Sequence, residues 1–227
     1  VRVLEGPLEP PFTTGFGFRR VYVPGLPRME KAVFKGEYPF AEVALSDREI
    51  PLEITLEAFN PMIPLEPEDS GIPAFVLRYR VKNTGSSPAK ITVAGSVVNP
   101  IGYDGEGQVD GLGNDKFGRN VNEIKRTPTL RGLAMSSRKV KPEAPAFGTM
   151  ALVTPWPDVT TLTHWVRGDW WDDLQIFWDD FAADGLLKDV DAVSPSPDKR
   201  TDVGTLGLVA TIAPGEEVVL PFILSWH

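Results

Sequence analysis

The sequence contains no cysteine, which excludes disulfides, thiol nucleophiles and cysteine-ligated zinc. Only two histidines occur, His164 and His227, which leaves little room for a histidine metal cluster. No apolar run approaches the ~20 residues that a membrane helix requires. Basic residues are the minority. The 23 Lys and Arg stand against 31 Asp and Glu, and a net charge of −8 argues against a phosphate-gripping nucleic-acid domain. Phosphate cradles are missing as well: there is no G-x-x-x-x-G-K-[ST], and Gly15-Phe16-Gly17 lacks the third glycine of a dinucleotide loop. Long helical periodicity is scarce, as expected of a chain with 21 glycines and 22 prolines. No fixed-period repeat is present, which argues against a propeller or solenoid.

What the chain does have is alternation. In Ala74–Lys82, Phe75, Leu77, Tyr79 and Val81 fall on one face and Val76, Arg78, Arg80 and Lys82 on the other, the mark of a half-buried strand. Asn83-Thr84-Gly85-Ser86-Ser87-Pro88 follows as a turn, and Lys90–Asn99 runs as a second strand, so a hairpin is expected. Pro51–Asn60 alternates likewise. Val203–Ala213 and Val218–Trp226 flank the turn Pro214-Gly215 as a second expected hairpin. Shorter strands are predicted at Arg19–Val23, Phe40–Leu45, Leu130–Ser136, Phe147–Thr154 and Thr160–Val166. Asp169–Ala183 is the one helical segment, with Trp171, Leu174, Phe177, Trp178 and Phe181 at helical spacing, Asp169 as N-cap and Gly185 as the stop. Gly102–Asn122, rich in Gly, Asp and Asn, reads as a long surface loop. These elements predict an all-β fold, an antiparallel two-sheet β-sandwich with one short helix near residues 169–183, forming a single domain over residues 1–227.

The termini carry an expectation too. Val1-Arg2-Val3 opens the chain without an initiator Met, and Ser225-Trp226-His227 closes it straight after an alternating run. Both ends read as truncations of a longer polypeptide.

Four constellations are candidates for chemistry. Asp172 and Asp179, like Asp173 and Asp180, lie seven residues apart, so each pair shares a helix face about 10.5 Å apart along the axis. Glycosidase carboxylates face each other across a sugar, usually from different elements. The acidic stripe therefore reads as a solvated helix face. A Ser/His/Asp triad would need His164, which sits in a strand, and no G-x-S-x-G elbow accompanies it. Asp104, Glu106, Asp110, Asn114, Asp115 and Asn120 offer the oxygens hard cations need, but in no recognised calcium-loop spacing. Trp156, Trp165, Trp170, Trp171 and Trp178 lie close in sequence, and indole faces suit a pyranose as well as they suit a core. Trp170 and Trp171 are adjacent and cannot both face inward on one helix, which leaves one for a ligand or a partner domain.

The most distinctive stretch runs Leu56-Glu57-Ala58-Phe59-Asn60-Pro61-Met62-Ile63-Pro64-Leu65-Glu66-Pro67-Glu68-Asp69-Ser70-Gly71-Ile72-Pro73. Four prolines pin an extended loop, and Asp69-Ser70-Gly71 turns it. It reads either as a stiff connector or as a rigid ridge that holds a neighbouring domain. Glu57-Ala58-Phe59, Pro61, Ile63-Pro64, Glu68-Asp69-Ser70 and Ile72-Pro73, followed by Val81-Lys82-Asn83, resemble the N-terminal domain of glycoside hydrolase family 116, the non-lysosomal glucosylceramidase or bile acid β-glucosidase type. The helix Trp170-Trp171…Phe181…Gly185 and the closing strand from Pro214-Gly215-Glu216 to Leu224-Ser225-Trp226 are similar to that family in place and type. The resemblance implies a parent with an N-terminal β-sandwich and a C-terminal (α/α)6 barrel, in which a Glu nucleophile and an Asp acid/base retain configuration. This chain has no run of long helices for that barrel, so no catalytic residue transfers to it. The family's glycine-rich opening segment is missing too, so the sandwich is expected to lack a first strand. The resemblance implies a non-catalytic module that packs on the catalytic domain of the same parent and shapes its cleft, with a glycan or glycolipid as ligand and neither nucleic acid nor a membrane span involved. An independent carbohydrate-binding module and a purely structural sandwich are the alternatives. Pro61, Pro64, Asp69, Ser70, Trp170 and Trp171 are the interdomain or sugar-facing candidates. No catalytic, cofactor-binding or metal-ligating residue is assigned.

Overall fold

The computed structural model describes residues 1–7, 25–106, 109, 111–168, 172–188 and 193–227. Among these residues are the strands β1 (Lys31–Glu37), β2 (Phe40–Asp47), β3 (Ile50–Phe59), β4 (Ala74–Asn83), β5 (Ala89–Val98), β6 (Asn120–Arg126), β7 (Arg131–Ser137), β8 (Met150–Thr154), β9 (Val159–Leu162), β10 (Val203–Ile212) and β11 (Glu217–Trp226), with the helices α1 (Pro67–Ser70) and α2 (Asp172–Asp184). The strands form an antiparallel sheet of eight, in the order β1-β2-β3-β4-β11-β8-β7-β6, and one of three, β5-β10-β9. The expected all-β, two-sheet fold is the one observed. The predicted strand at Arg19–Val23, the N-cap Asp169, and Trp170 and Trp171 lie outside the described residues.

The chain divides into two compact units, and β4, β5, β10 and β11 contribute residues to both. One comprises Val1–Asn60, Leu77–Ile91 and Ala210–Leu220; the other comprises Pro61–Val76, Thr92–Val209 and Pro221–His227.

In the first unit, β1, β2 and β3 form a meander. Its register sets the rows Ala32–Leu45–Ile54 and Phe34–Val43–Leu56 across three strands. Leu45, Ile54 and Val81 are buried on this face. The opposite face is charged: Arg80 donates to Glu57 at 2.6 Å and to Glu217 at 2.9 Å. The two expected hairpins are corrected here. β4 belongs to the large sheet and β5 to the small one, and the same holds for β11 and β10, so both turns are arches between sheets. Alternation tells which side chains share a face, but not which strand lies alongside, so hairpin and arch read the same in sequence. Asn83 ties the two arches together. Its backbone N–H donates to Glu216 O at 2.9 Å and its carbonyl accepts from Gly215 N–H at 2.8 Å. Its side-chain amide donates to Ser87 O at 2.8 Å and to Ile212 O at 2.9 Å.

In the second unit the core lies between the sheets. Leu133 and Met135 of β7, Leu152 of β8 and Phe222 of β11 are buried, as are Val93 of β5 and Leu206 and Leu208 of β10. A Cβ on Gly95 would stand 3.3 Å from the Phe222 ring, and one on Gly204 would stand 2.8 Å from Leu133, so these glycines let the layers close up. Helix α2 covers the outer face of the small sheet. Trp165 stacks on Phe177 at 4.4 Å, Phe177 stacks on Phe181 at 5.9 Å, and the Trp165 indole donates to Thr205 Oγ1 at 2.8 Å. β10 is thus covered on both faces, which is why Val203–Ile212 reads as a nearly continuous apolar run. Gly185 stops the helix at φ +73°, its N–H bonded to Phe181 O at 2.9 Å, as the sequence indicates.

The Gly102–Asn122 segment is not surface loop to its end. Phe117, Gly118, Asn120, Val121 and Asn122 are buried, and β6 begins at Asn120. The polarity that suggested solvent is consumed internally: Asn99 donates to Asn122 Oδ1 at 2.9 Å and Asn120 donates to Ile101 O at 2.8 Å. Buried amides are tolerable when their partners are supplied.

Candidate functional site

The loop from Pro61 to Pro73 joins β3 to β4, and its inner bonds explain its shape. Ser70 Oγ accepts from Ile63 N–H and donates to Ile63 O, both at 2.9 Å, which closes the loop on itself. Glu66 N–H reaches Ile63 O at 3.1 Å, Ser70 N–H reaches Glu66 O at 3.0 Å and Gly71 N–H reaches Pro67 O at 2.9 Å. The expected extended loop is therefore corrected: Pro67–Ser70 forms one helical turn, started by a proline whose fixed φ suits the first helical position. The base of the loop is tied down by Trp226 N–H to Pro73 O at 3.0 Å, and the Trp226 ring lies 6.2 Å from Phe75.

This closed loop turns its apolar side chains outward. Met62, Ile63 and Ile72 are exposed, and Leu65 is 98% exposed. Leu65 also holds φ +70°, a left-handed conformation that costs a branched residue ~1 kcal/mol or more. A leucine both strained and fully solvated contributes nothing to the core. Of the predicted site residues, Pro61, Pro64, Asp69 and Ser70 come together here. Pro61 and Ser70 are half-buried and shape the loop, while Pro64 and Asp69 are exposed. Sequence reasoning missed Leu65 and the exposed Trp226 beside them. A bulky apolar residue between Pro64 and Glu66, with no alternating strand to bury it, was the available signal.

The other constellations are accounted for by ordinary bonds. Asp104 pairs with Lys116 at 2.7 Å and Asp115 with Lys199 at 2.9 Å. Those lysines hold both carboxyls below the usual range, by a hydrogen bond first, helped in Asp104 by the Glu106 N–H. Asn120 is spent in the buried amide network, and Asp110 lies outside the described residues. On α2, Asp172, Asp179 and Asp184 are exposed and Asp180 pairs with Lys188. His164 Nδ1 lies 3.0 Å from Trp165 O, and the strand predicted through it ends at Leu162. The Trp156 and Trp165 indoles donate into the fold, to Val209 O and Thr205 Oγ1 at 2.8 Å each. Among the described residues no three His, Asp or Glu side chains are grouped to hold a metal ion, and no helix is long and apolar enough to cross a membrane.

Compared with known proteins, residues 16–227 match the family described as beta-glucosidase 2, glycosyl-hydrolase family 116 N-term. Solved structures similar to this chain include a provisionally assigned kojibiose phosphorylase from the human microbiome, at 10% identity and a TM-score of 0.38, matched over 83% of this chain and 17% of its own. A provisionally assigned aldose 1-epimerase from Klebsiella pneumoniae subsp. pneumoniae is similar at 10% identity and a TM-score of 0.40, over 86% of this chain and 53% of its own. The chain thus spans well under two thirds of either protein.

Proposed function

Since the chain belongs to glycosyl-hydrolase family 116 as its N-terminal domain, we propose that it is a non-catalytic module whose Pro61–Pro73 loop docks on the catalytic domain of a β-glucoside-cleaving parent. The observation that carries this reading is the rigid, self-closed loop with Leu65 98% exposed at its tip. Removing a leucine side chain from water is worth roughly 1.5–3 kcal/mol, so an exposed, preorganised leucine is a strong anchor once a partner covers it. Asp69 and Pro64 lie on the same exposed loop and would meet the partner with it. A glycan or glycolipid would then be the parent's substrate, reached at the cleft beside this contact.

The test is association with the parent's catalytic domain, produced separately and titrated by calorimetry. Leu65→Asp should weaken binding ten- to hundredfold, the equivalent of the leucine's burial, and leave the melting temperature of the module unchanged. Ile176→Asp, at an exposed position on α2, should bind as the unmodified chain does. Equal binding by the Leu65 variant removes the loop from the interface. No binding by the unmodified chain removes the module reading altogether.

A further inference from the structure

A second exposed apolar surface lies on β1. β1 is an edge strand: it pairs with β2 and has no partner among the described residues on its other side. All seven of its residues are exposed. Among the described residues the N-terminal segment pairs with the chain just before β1, Val3 N–H to Pro27 O at 2.8 Å and Met29 N–H to Glu5 O at 3.0 Å, with Gly6 lying against Ala32. An open edge is normally protected by a proline, a bulge or a charge that repels a second strand. β1 has no proline and its register with β2 is unbroken from Lys31 to Glu37. It also presents large apolar groups to water: Phe34 is 69% exposed, and beyond its end Tyr38 is 86% and Phe40 60% exposed.

The charges on β1 decide what can pair with it. We propose that β1 joins β1 of a second copy of this chain, antiparallel about a two-fold axis normal to the sheet and centred on Phe34. In that register Lys31 faces Glu37 twice, Ala32 faces Gly36, Val33 faces Lys35 and Phe34 faces Phe34. Opposite charges directly across a pair stabilise it and like charges destabilise it. Moving the centre to Val33 sets Lys31 against Lys35 in both halves. Moving it to Lys35 sets that lysine against itself. One register is favoured and its neighbours are opposed, so the lysines that would guard the edge against other strands select this one. Both chains use the same surface, and the symmetry closes at a dimer.

The absence of cysteine makes the geometry directly testable. Directly opposed residues in an antiparallel pair have Cα atoms about 4.5–5.5 Å apart, within disulfide range. The Phe34→Cys chain should form a disulfide-linked dimer on mild oxidation, and Lys125→Cys, at an exposed site on β6, should not. In sedimentation across a dilution series, the unmodified chain should show a monomer–dimer equilibrium. Lys31→Glu should weaken it about tenfold or more, because the substitution acts twice. Lys31→Glu combined with Glu37→Lys should restore the affinity, and the melting temperature of the single variant should match that of the unmodified chain at monomer concentrations, which separates lost pairing from lost folding. Leu65→Asp should leave this equilibrium untouched, so its outcome is separate from that of the docking loop. A chain that stays monomeric at every concentration overturns the proposal. So does a dimer indifferent to Lys31→Glu, or one that the double exchange fails to restore.

Discussion

Asn83 has no access to water and spends its side-chain amide on Ser87 O, Ile212 O and Gly85 N–H. Truncation would leave the buried Ile212 carbonyl, and the part-buried Ser87 carbonyl and Gly85 N–H, short of a partner, a buried group costing ~1–3 kcal/mol when unsatisfied and the others less. Asn83→Ala is therefore expected to lower stability by about 3 kcal/mol, as read from denaturant midpoints. Asp47 gives the pH counterpart. The Glu49 N–H and then the Arg2 guanidinium, each at 2.9 Å, hold its carboxyl below the ordinary aspartate range. A carboxyl depressed by folding adds stability above its unfolded value, and that stability is lost as pH falls through the folded one. The melting-temperature gap between the unmodified chain and Asp47→Asn should stay constant from neutrality down to about pH 4. Below that it should close, as both side chains become neutral. A gap that persists well into acid would mean that the carboxylate charge is irrelevant there.

The strands respond to substitution according to what lies across from them. Gly132 in β7 holds φ +148°, and a Cβ there would stand 2.2 Å from Leu152 O of the paired strand. Gly215, in the arch between β10 and β11, holds φ +79° with nothing near its would-be Cβ. Gly132→Ala must part β7 from β8 and should cost ~4 kcal/mol or prevent folding, whereas Gly215→Ala carries only its backbone strain of ~1 kcal/mol. Comparable melting temperatures for the two variants would contradict this ranking. The same contrast explains what sequence could disclose. β3, β4 and β11 were legible because one face of each is covered, which imposes alternation. The arches were not, because the bonds that tie one to the other, from Asn83 to Ile212, Gly215 and Glu216, join residues more than a hundred positions apart. β1 was missed because Lys31–Glu37 is exposed on both faces and so bears no burial pattern. The loop Pro61–Pro73 was legible through its prolines, but the Ser70–Ile63 bonds and the left-handed Leu65 belong to conformation and leave no mark in composition.

At the scale of the whole molecule, the question is whether this fold can cleave a glycosidic bond unaided. Hydrolysis needs two carboxyl groups on opposite sides of the sugar, roughly 5–9.5 Å apart, one of them kept protonated by its surroundings. Asp172 and Asp179 are exposed and two turns apart on one helix, so they point the same way at a spacing of about 10.5 Å. Asp180, Asp104 and Asp115 are each paired with a lysine. For Asp104 and Asp115 that pairing favours the charged form, the reverse of what a proton donor needs. Arg80 pairs with Glu57 and Glu217 on an outer sheet face. These paired carboxylates hold loops and strands. The isolated chain is accordingly expected to release aryl leaving groups from β-glucosides no faster than buffer does. Turnover above that background, abolished by Asp172→Asn or Asp180→Asn, would place an active site on α2 and overturn the proposed non-catalytic role.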